Sequence, residues 1–472
     1  MTHPQSVAWI AAAALAGATP ALAQAPPDAE ALALEVIELR QAVAALQARL
    51  DAIDSGRQAQ ANAIPVSIPV SARMAAAPDL ASGAGRMAAA SVLPTRYTFG
   101  DELTGVARAD TAAPPNDPDL RGFISVPGSQ TMVRFGGFAK VNAIFDFAPA
   151  GSPDRLITSV IPIGAGDGRN TSLDANNTRF SFEARRPSAM GPMRVYLEND
   201  FYGGGGGTAF RLRQAHGQIG NTYAGYGYTA FADADAFPDT LDDEGPGGGT
   251  LVRVAAIRQI WKLGGGATAA LSIEDPASEL MLTTGRTAAQ PAPDVVGVLR
   301  LERPWGHVQT SAVTRLVGYS EGDRNESAFG YGLSLSGLFK LGDDFAMAGF
   351  TYGDGLGRYF NDLSGAGYDG LIQPDGDVRT LAVYGGYLGY TRHWSPRWRS
   401  NLVGGILVLD RDDLLAPTAF RSSGYGAANL IWAVSPSFSV GVEVLYGRHE
   451  LQNGQDADVT RLQASLKYDF VQ

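Results

Sequence analysis

Six acidic side chains crowd one short stretch of the sequence, just before a Gly/Pro-rich segment at 245–249. Carboxylates at this density could hold Ca²⁺, which prefers oxygen ligands, but their spacing does not match an EF-hand loop. They could instead set an electric field across a narrow aqueous passage if basic side chains faced them, and we prefer this interpretation. The six are Asp233, Asp235, Asp239, Asp242, Asp243 and Glu244.

Seven basic side chains upstream could supply the opposite wall. Side chains two residues apart point to the same side of a β-strand, so cations with this parity would share one face. Such a wall would favour anions. In the alternative interpretation, these cations pair with Glu183 and Glu198 on the same face and only fill a polar interior. The seven are Arg134, Lys140, Arg179, Arg185, Arg194, Arg211 and Arg213.

The sequence offers little for catalysis. It contains no G-x-S-x-G motif of the kind that positions a nucleophilic serine. The glycines at 203–207 are not followed by the Lys-Ser/Thr of a phosphate-binding loop, and the histidines have no paired metal-ligand spacing. We therefore predict no enzymatic activity, no cofactor and no structural metal.

The charged stretches lie in a part of the chain with a period of two, which begins near residue 130 and continues to the end. The last strand shows the pattern best, because Leu462, Leu466 and Phe470 alternate with Arg461 and Lys467. We count sixteen candidate strands, and an even number is what closure of an antiparallel bacterial barrel requires. They begin near 130, 177, 192, 209, 222, 250, 266, 293, 306, 327, 344, 377, 397, 420, 437 and 457.

The connections between these strands alternate between short and long, as in outer-membrane barrels with short periplasmic turns and long outer loops. The mean hydropathy of -0.05 and the absence of cysteine also fit, because a barrel alternates lipid-facing and lumen-facing side chains. We predict an all-β fold, a 16-stranded antiparallel transmembrane β-barrel over residues 126–472, in the outer membrane of a Gram-negative bacterium.

Three segments precede the predicted barrel. Residues 1–23 have the apolar core and small-x-small site of a signal peptide, residues 30–54 predict a periplasmic coiled-coil helix, and residues 55–125 form a Pro/Ala-rich linker. The valines at two a positions lean weakly towards a dimer, and a helix packed on its own barrel is the alternative. The oligomerisation seam is Leu32, Val36, Leu39, Val43, Leu46, Leu50 and Ile53, spaced 4, 3, 4, 3, 4 and 3 residues apart.

Several motifs in order along the chain resemble those of the DcaP-type trimeric porins. They are GFISVPG at 122–128 with RFGGFAK at 134–140, RFSFEARRP at 179–187, FPDTLD at 237–242, GDGLGRY at 353–359 and GVEVLYGR at 441–448. The resemblance implies a homotrimer, a periplasmic coiled coil and a preference for small anionic solutes such as carboxylates.

Together these observations predict an outer-membrane porin, a passive diffusion channel for small hydrophilic solutes, surrounded by outer-membrane lipid and with no nucleic-acid partner. The alternative is a barrel that acts as a surface receptor or adhesin through its outer loops. A barrel that carries no single-channel current would favour that alternative.

Overall fold

The computed structural model describes residues 122–203 and 208–470. The predicted signal peptide, the coiled-coil seam and nearly all of the predicted linker lie outside the described residues, so these three predictions stay predictions.

Sixteen long strands form the wall of the molecule. They are β1 (Met132–Asp146), β2 (Arg179–Arg186), β3 (Met193–Asp200), β4 (Arg211–Ile219), β5 (Thr222–Tyr228), β6 (Arg253–Gly264), β7 (Ala267–Glu274), β8 (Asp294–Arg303), β9 (Gly306–Glu321), β10 (Arg324–Leu341), β11 (Asp344–Asp354), β12 (Ala382–Ser395), β13 (Trp398–Leu409), β14 (Phe420–Ser435), β15 (Phe438–Leu451) and β16 (Asp456–Asp469).

Each strand pairs antiparallel with the next, and β16 pairs with β1, so the sheet closes. A short strand at Asn170–Asp174 continues the ladder of β2 along the outer half of β1. The predicted 16-stranded barrel is confirmed. The predicted strand starts lie within three residues of the observed ones, except at β12. That strand was predicted to begin near 377 and begins at Ala382.

The burial pattern is inverted relative to a water-soluble protein. On β16, Leu462 and Leu466 are exposed on the outer face, while Arg461, Gln463 and Ser465 are buried on the inner face. This is the arrangement expected when the outer face meets lipid and the inner face lines a polar bore. The described residues contain no helix long and apolar enough to span a membrane.

Aromatic pairs mark both rims of the outer face. Near one end the Trp305 ring stacks on Phe339 at 5.6 Å between centroids, and Trp398 stacks on Trp432 at 5.5 Å. Tyrosines, including Tyr331, lie on the outer face towards the other end. Amphipathic rings prefer the membrane–water interface, so the two rims bracket a lipid-facing band.

All connections at the end carrying Trp305 are short, and most at the other end are long. The expectation that they alternate all the way round is wrong at two places, because β9 joins β10 through residues 322–323 and β15 joins β16 through residues 452–455. Strands β9 and β10 have 16 and 18 residues. They continue beyond their neighbours and close in a tight turn at Gly322, whose φ of 59° suits glycine.

Candidate functional site

The connection between β5 and β6, residues 229–252, turns into the barrel, and we call it the constriction loop. Its first residues lie against the inner face of the wall. The amide of Ala230 donates to the Glu274 carboxylate of β7 at 2.8 Å, and Ser311 Oγ of β9 donates to the Phe231 carbonyl oxygen at 2.7 Å. The acidic stretch identified in the sequence is therefore inside the bore.

Two of its acidic residues fasten the constriction loop to β8, β9 and β10. Arg300 Nη1 lies 3.2 Å from Asp233 Oδ1, and Arg300 Nη2 lies 2.6 Å from Asp235 Oδ2. His307 Nε2 and Ser336 Oγ also contact Asp233 Oδ2, at 2.9 and 2.7 Å. These carboxylates hold the loop on the wall away from the seven predicted cations.

The last part of the constriction loop, at Pro246 and Gly248, approaches β12 and β13 at backbone distance. A methyl group on Gly248 would lie 2.3 Å from the Ile406 carbonyl oxygen and 2.5 Å from the Gly386 nitrogen. One on Gly405 would lie 2.5 Å from Pro246 Cβ. Both distances are too short for carbon, so glycine allows this contact.

The middle of the loop, at Leu241 and Asp242, contacts β15, β16 and β1. The Glu443 carboxylate accepts from the amides of Leu241 and Asp242, at 2.9 and 2.8 Å. Lys140 Nζ and Gln463 Nε2 donate to the Leu241 carbonyl oxygen, at 2.6 and 2.9 Å. The loop therefore contacts the wall from β7 round to β1, and a cavity that we call the outer cavity lies beside β2, β4, β5 and β6.

The outer cavity meets an inner cavity in the bore. The inner cavity extends to Pro436 and Asp469, towards the short turns, and the outer cavity extends to Arg155 and Asn361, towards the long loops. Residues that line both cavities mark the narrow zone between them. These are Arg179, Tyr228, Phe237, Pro238, Asp239, Thr240, Asp242, Asp243 and Leu251.

Three of the seven predicted cations share one carboxylate on β2. Glu183 lies 2.6 Å from Arg134 Nη2, 2.6 Å from Arg185 Nε and 2.8 Å from Arg194 Nε. One negative charge against three positive charges leaves this patch of β1 to β3 with a positive excess.

Two more of the predicted cations are neutralised by β3. Arg211 Nη2 lies 2.6 Å from Asp200 Oδ2, and Arg213 contacts both Asp200 and Glu198 at 2.8 Å. The register of β3 and β4 shifts here, because Glu198 pairs with Gln214 while Asn199 pairs with Leu212. Arg213 is thus the extra residue of a bulge, and both it and the following glutamine are buried on the inner face.

Arg179 is the predicted cation that faces the acidic loop by ion pairing, since its Nη2 lies 3.1 Å from Asp243 Oδ1. Burial would raise the pKa of the Asp243 carboxyl, but the Arg179 and Arg213 guanidinium groups outweigh burial and lower it. Lys140 reaches the loop through a carbonyl oxygen instead. An ion pair between Arg179 on the wall and Asp243 on the loop therefore lies in the narrow zone.

The remaining acidic residues of the loop contact other partners. Asp239 Oδ2 lies 2.9 Å from Arg399 Nη2, and Asp242 Oδ1 accepts from the amide of Leu156. Arg155 Nη1 lies 2.9 Å from Glu244 Oε2. Burial nevertheless raises the pKa of the Glu244 carboxyl to about 8, because desolvation and neighbouring carboxylates outweigh that guanidinium. Nowhere in 122–203 or 208–470 do three or more His, Asp or Glu side chains cluster as a metal site.

A second loop, residues 355–381, fills the bore beside β8 and β9. Tyr359 Oη donates to Asp294 at 2.8 Å, and Arg315 Nη1 lies 3.0 Å from Asp369. Its apolar side chains pack with the start of the constriction loop and the wall. This packing fills the bore on the side of β8 and β9.

Sequence reasoning missed three residues that shape the passage: Arg155, Arg253 and Glu443. Glu443 lies on the inner face of β15 by strand parity, so the period of two could have found it. Arg155 is in an irregular loop, and Arg253 is the first residue of β6. The alternation of inward and outward side chains does not exist in a loop and is weak at a strand end. The sequence therefore contains no pattern that would identify Arg155 or Arg253.

A closed barrel with a lipid-facing band, a charged bore and a loop folded into it defines a channel-forming protein of the outer membrane. The family model described as porin subfamily matches residues 121–468, and the chain belongs to this family. It is thus an outer-membrane porin of a Gram-negative bacterium.

Among solved structures, the barrel is similar to the outer membrane channel DcaP of Acinetobacter baumannii, with a TM-score of 0.66 and 20% identity over 74% of this chain and 100% of that one. This confirms the DcaP-type fold. The anion-selective porin from Comamonas acidovorans also matches, with a TM-score of 0.48 and 13% identity over 72% of this chain and 100% of that one. No curated protein sequence gave a match.

Proposed function

We propose that this porin passes small hydrophilic solutes by passive diffusion and favours small anions such as carboxylates. The observation that carries the proposal is the lining of the outer cavity, where six guanidinium groups face four carboxylates. Burial raises the pKa of one of the four, Glu244, even though the Arg155 guanidinium lies 2.9 Å from its carboxylate. The six cations are Arg155, Arg179, Arg211, Arg213, Arg253 and Arg358.

An anion entering from the long-loop end meets these six guanidinium groups first. It then passes the Arg179–Asp243 ion pair into the inner cavity, where Lys140 and Lys467 line the exit. Charge in a narrow passage with low-dielectric walls concentrates ions of the opposite sign, so the outer cavity would raise the local anion concentration. The process needs no energy source.

Replacing Arg179, Arg211 and Arg213 together by alanine is expected to lower the anion/cation permeability ratio by roughly tenfold or more, since three unit charges are lost. The change also leaves Asp200 and Glu198 without their arginines and so adds net negative charge to the wall. The measurement is the reversal potential in a salt gradient across a planar bilayer.

The matched control removes three arginines from the outer rim, where each pairs with an acidic residue and none lines either cavity: Arg286, Arg324 and Arg379. This triple variant should keep the wild-type ratio. Equal ratios in the two triple variants would mean that the wall cations only fill the interior. A wild-type barrel that folds but carries no current would favour a receptor or adhesin.

We further propose that the protein is a homotrimer whose chains are joined on the periplasmic side by the 30–54 coiled coil. The support is the heptad seam and the resemblance to trimeric porins. Replacing Leu39 and Leu46 by aspartate puts charges into that seam and should reduce the fraction of trimer in detergent, measured by light scattering. Replacing the nearby Ala44 and Ala45 by aspartate is the control, since neither is a seam residue. A monomeric wild type would contradict the trimer.

A further inference from the structure

Five of the six arginines that line the outer cavity have a carboxylate partner within salt-bridge distance. The pairs are Arg155–Glu244, Arg179–Asp243, Arg211–Asp200, Arg213–Glu198 and Arg358–Asp294. In the part of the chain that the structure describes, no carboxylate lies within 4.0 Å of the Arg253 guanidinium. The positive charge of Arg253 is therefore the one in this cavity without a carboxylate at that distance.

The Arg253 side chain is placed at the outer side of the narrow zone. Arg253 pairs in register with Tyr228 on β5, and its guanidinium carbon lies 5.5 Å from the centre of that ring. Tyr228 lines both cavities, and its hydroxyl accepts from Arg213 Nη2 at 2.9 Å. The tyrosine ring thus orients the Arg253 guanidinium at the point where a solute leaves the outer cavity.

The N–H groups of Arg253 are available to a ligand. The described residues supply no hydrogen-bond acceptor for them, and none of these nitrogens is a fully buried polar atom without a partner, so they are open to the outer cavity. The guanidinium groups of Arg211 and Arg213 nearby already donate to Asp200. An entering anion therefore finds its least occupied donor group at Arg253.

We infer that Arg253 is the residue that selects the solute, by binding oxoanions with two adjacent oxygens, such as carboxylates, through two parallel N–H···O bonds. A planar guanidinium matches this geometry, whereas chloride can use only its charge. Carboxylate and phosphate groups share this chemistry. The inference rests on the proposed anion preference and identifies the contact that produces it.

The test compares R253Q, which removes the charge, and R253K, which keeps the charge and loses the planar fork. Reversal potentials are measured in gradients of potassium chloride, potassium acetate and potassium phosphate. R253Q is expected to lower the anion/cation ratio about fivefold in all three salts, which corresponds to losing one unit charge near the ion in water. R253K should keep the anion/cation permeability ratio measured in potassium chloride. It should lose the higher permeability of acetate relative to chloride.

R392Q is the matched control. Arg392 is exposed, pairs with Asp344 and lines neither cavity, so its loss removes the same charge away from the passage. If the wild-type anion/cation ratio is above one and R253Q has the same ratio as R392Q, this inference alone is overturned. If R253K still passes acetate more readily than chloride, the two-bond contact is overturned. A wild-type ratio at or below one would overturn the proposed anion preference, and this inference with it. If phosphate were only as permeant as chloride while acetate stayed more permeant, the ligand would be restricted to carboxylates, and this result would support the inference.

Discussion

Replacing Arg461 by methionine is expected to destabilise the barrel by about 3–5 kcal/mol, the usual cost of leaving one partner of a buried ion pair without the other. Arg461 Nε and Nη2 donate to the two carboxylate oxygens of Asp146 at 2.6 and 3.1 Å, and both side chains are almost completely buried. Arg461 also donates to the Ser152 carbonyl oxygen at 2.6 Å.

The position of this pair explains why its loss should affect the whole barrel. Asp146 on β1 lies directly opposite Arg461 on β16, in the ladder that closes the sheet. Without Arg461, a buried carboxylate remains at the junction of the first and last strands. The strand pairing there is the one that joins the two ends of the barrel, so weakening it favours opening.

The effect is measured by unfolding the protein with denaturant in detergent. The folded fraction is monitored by the heat-dependent migration of the barrel in gel electrophoresis. The double variant R461M/D146L leaves neither charge buried and should recover most of the lost stability. R448M is the control, because Arg448 forms an exposed pair with Asp456 at 3.3 Å, and exposed pairs contribute ~0–1 kcal/mol. If R461M were as stable as R448M, the closing role of the pair would be wrong.

The wall of the barrel could be predicted from the sequence because lipid and water act on alternate residues of every strand. On β1 the outward Val141 and inward Asn142 differ in polarity as their surroundings do, and the same holds along β16. The physical constraint is local, so a period of two is enough to find it. Where the constraint weakens, as at the tight β9–β10 turn, the predicted pattern of connections was wrong.

The contents of the bore could not be predicted in the same way. Asp233 pairs with Arg300, which is 67 residues away, and Leu241 contacts Glu443, which is 202 residues away. Strand parity says that a side chain points inward, but it does not say which inward side chains meet. The prediction therefore placed all six acidic residues opposite the basic wall, whereas the structure shows two of them bound to the far wall.

A β-bulge is a second reason why strand parity could not predict every inward-facing residue. At Arg213 the inward positions of β4 change from odd to even numbers, so parity counted from one end of the strand fails at the other. The role of the seven cations in ion selectivity remains a prediction. Their contacts show what to test, since five are bound to wall carboxylates and Arg179 faces the loop.

Replacing Gly248 by valine is expected to reduce single-channel conductance roughly twofold, because pore width sets the rate of passage. The first side-chain carbon would lie 2.3 Å from the Ile406 carbonyl oxygen and 2.5 Å from the Gly386 nitrogen. Both are backbone atoms of adjacent paired strands, which cannot turn aside as a side chain can. The constriction loop must therefore move away from β12 and β13 by about 1 Å or more in this close-packed contact.

The direction of that movement follows from what surrounds the loop. Behind Gly248 is the barrel wall, and the open passage beside Arg179 lies on the loop's other side, so the displaced loop narrows the passage. Gly404→Val is the matched control, since Gly404 is a glycine of β13 with nothing within 4 Å of an added methyl group. If the two variants conducted equally, the close approach at Gly248 would not set the pore width. A rise in conductance with Gly248→Val would mean that the loop leaves the bore, and that its contacts at Asp233 and Leu241 are too weak to hold it there.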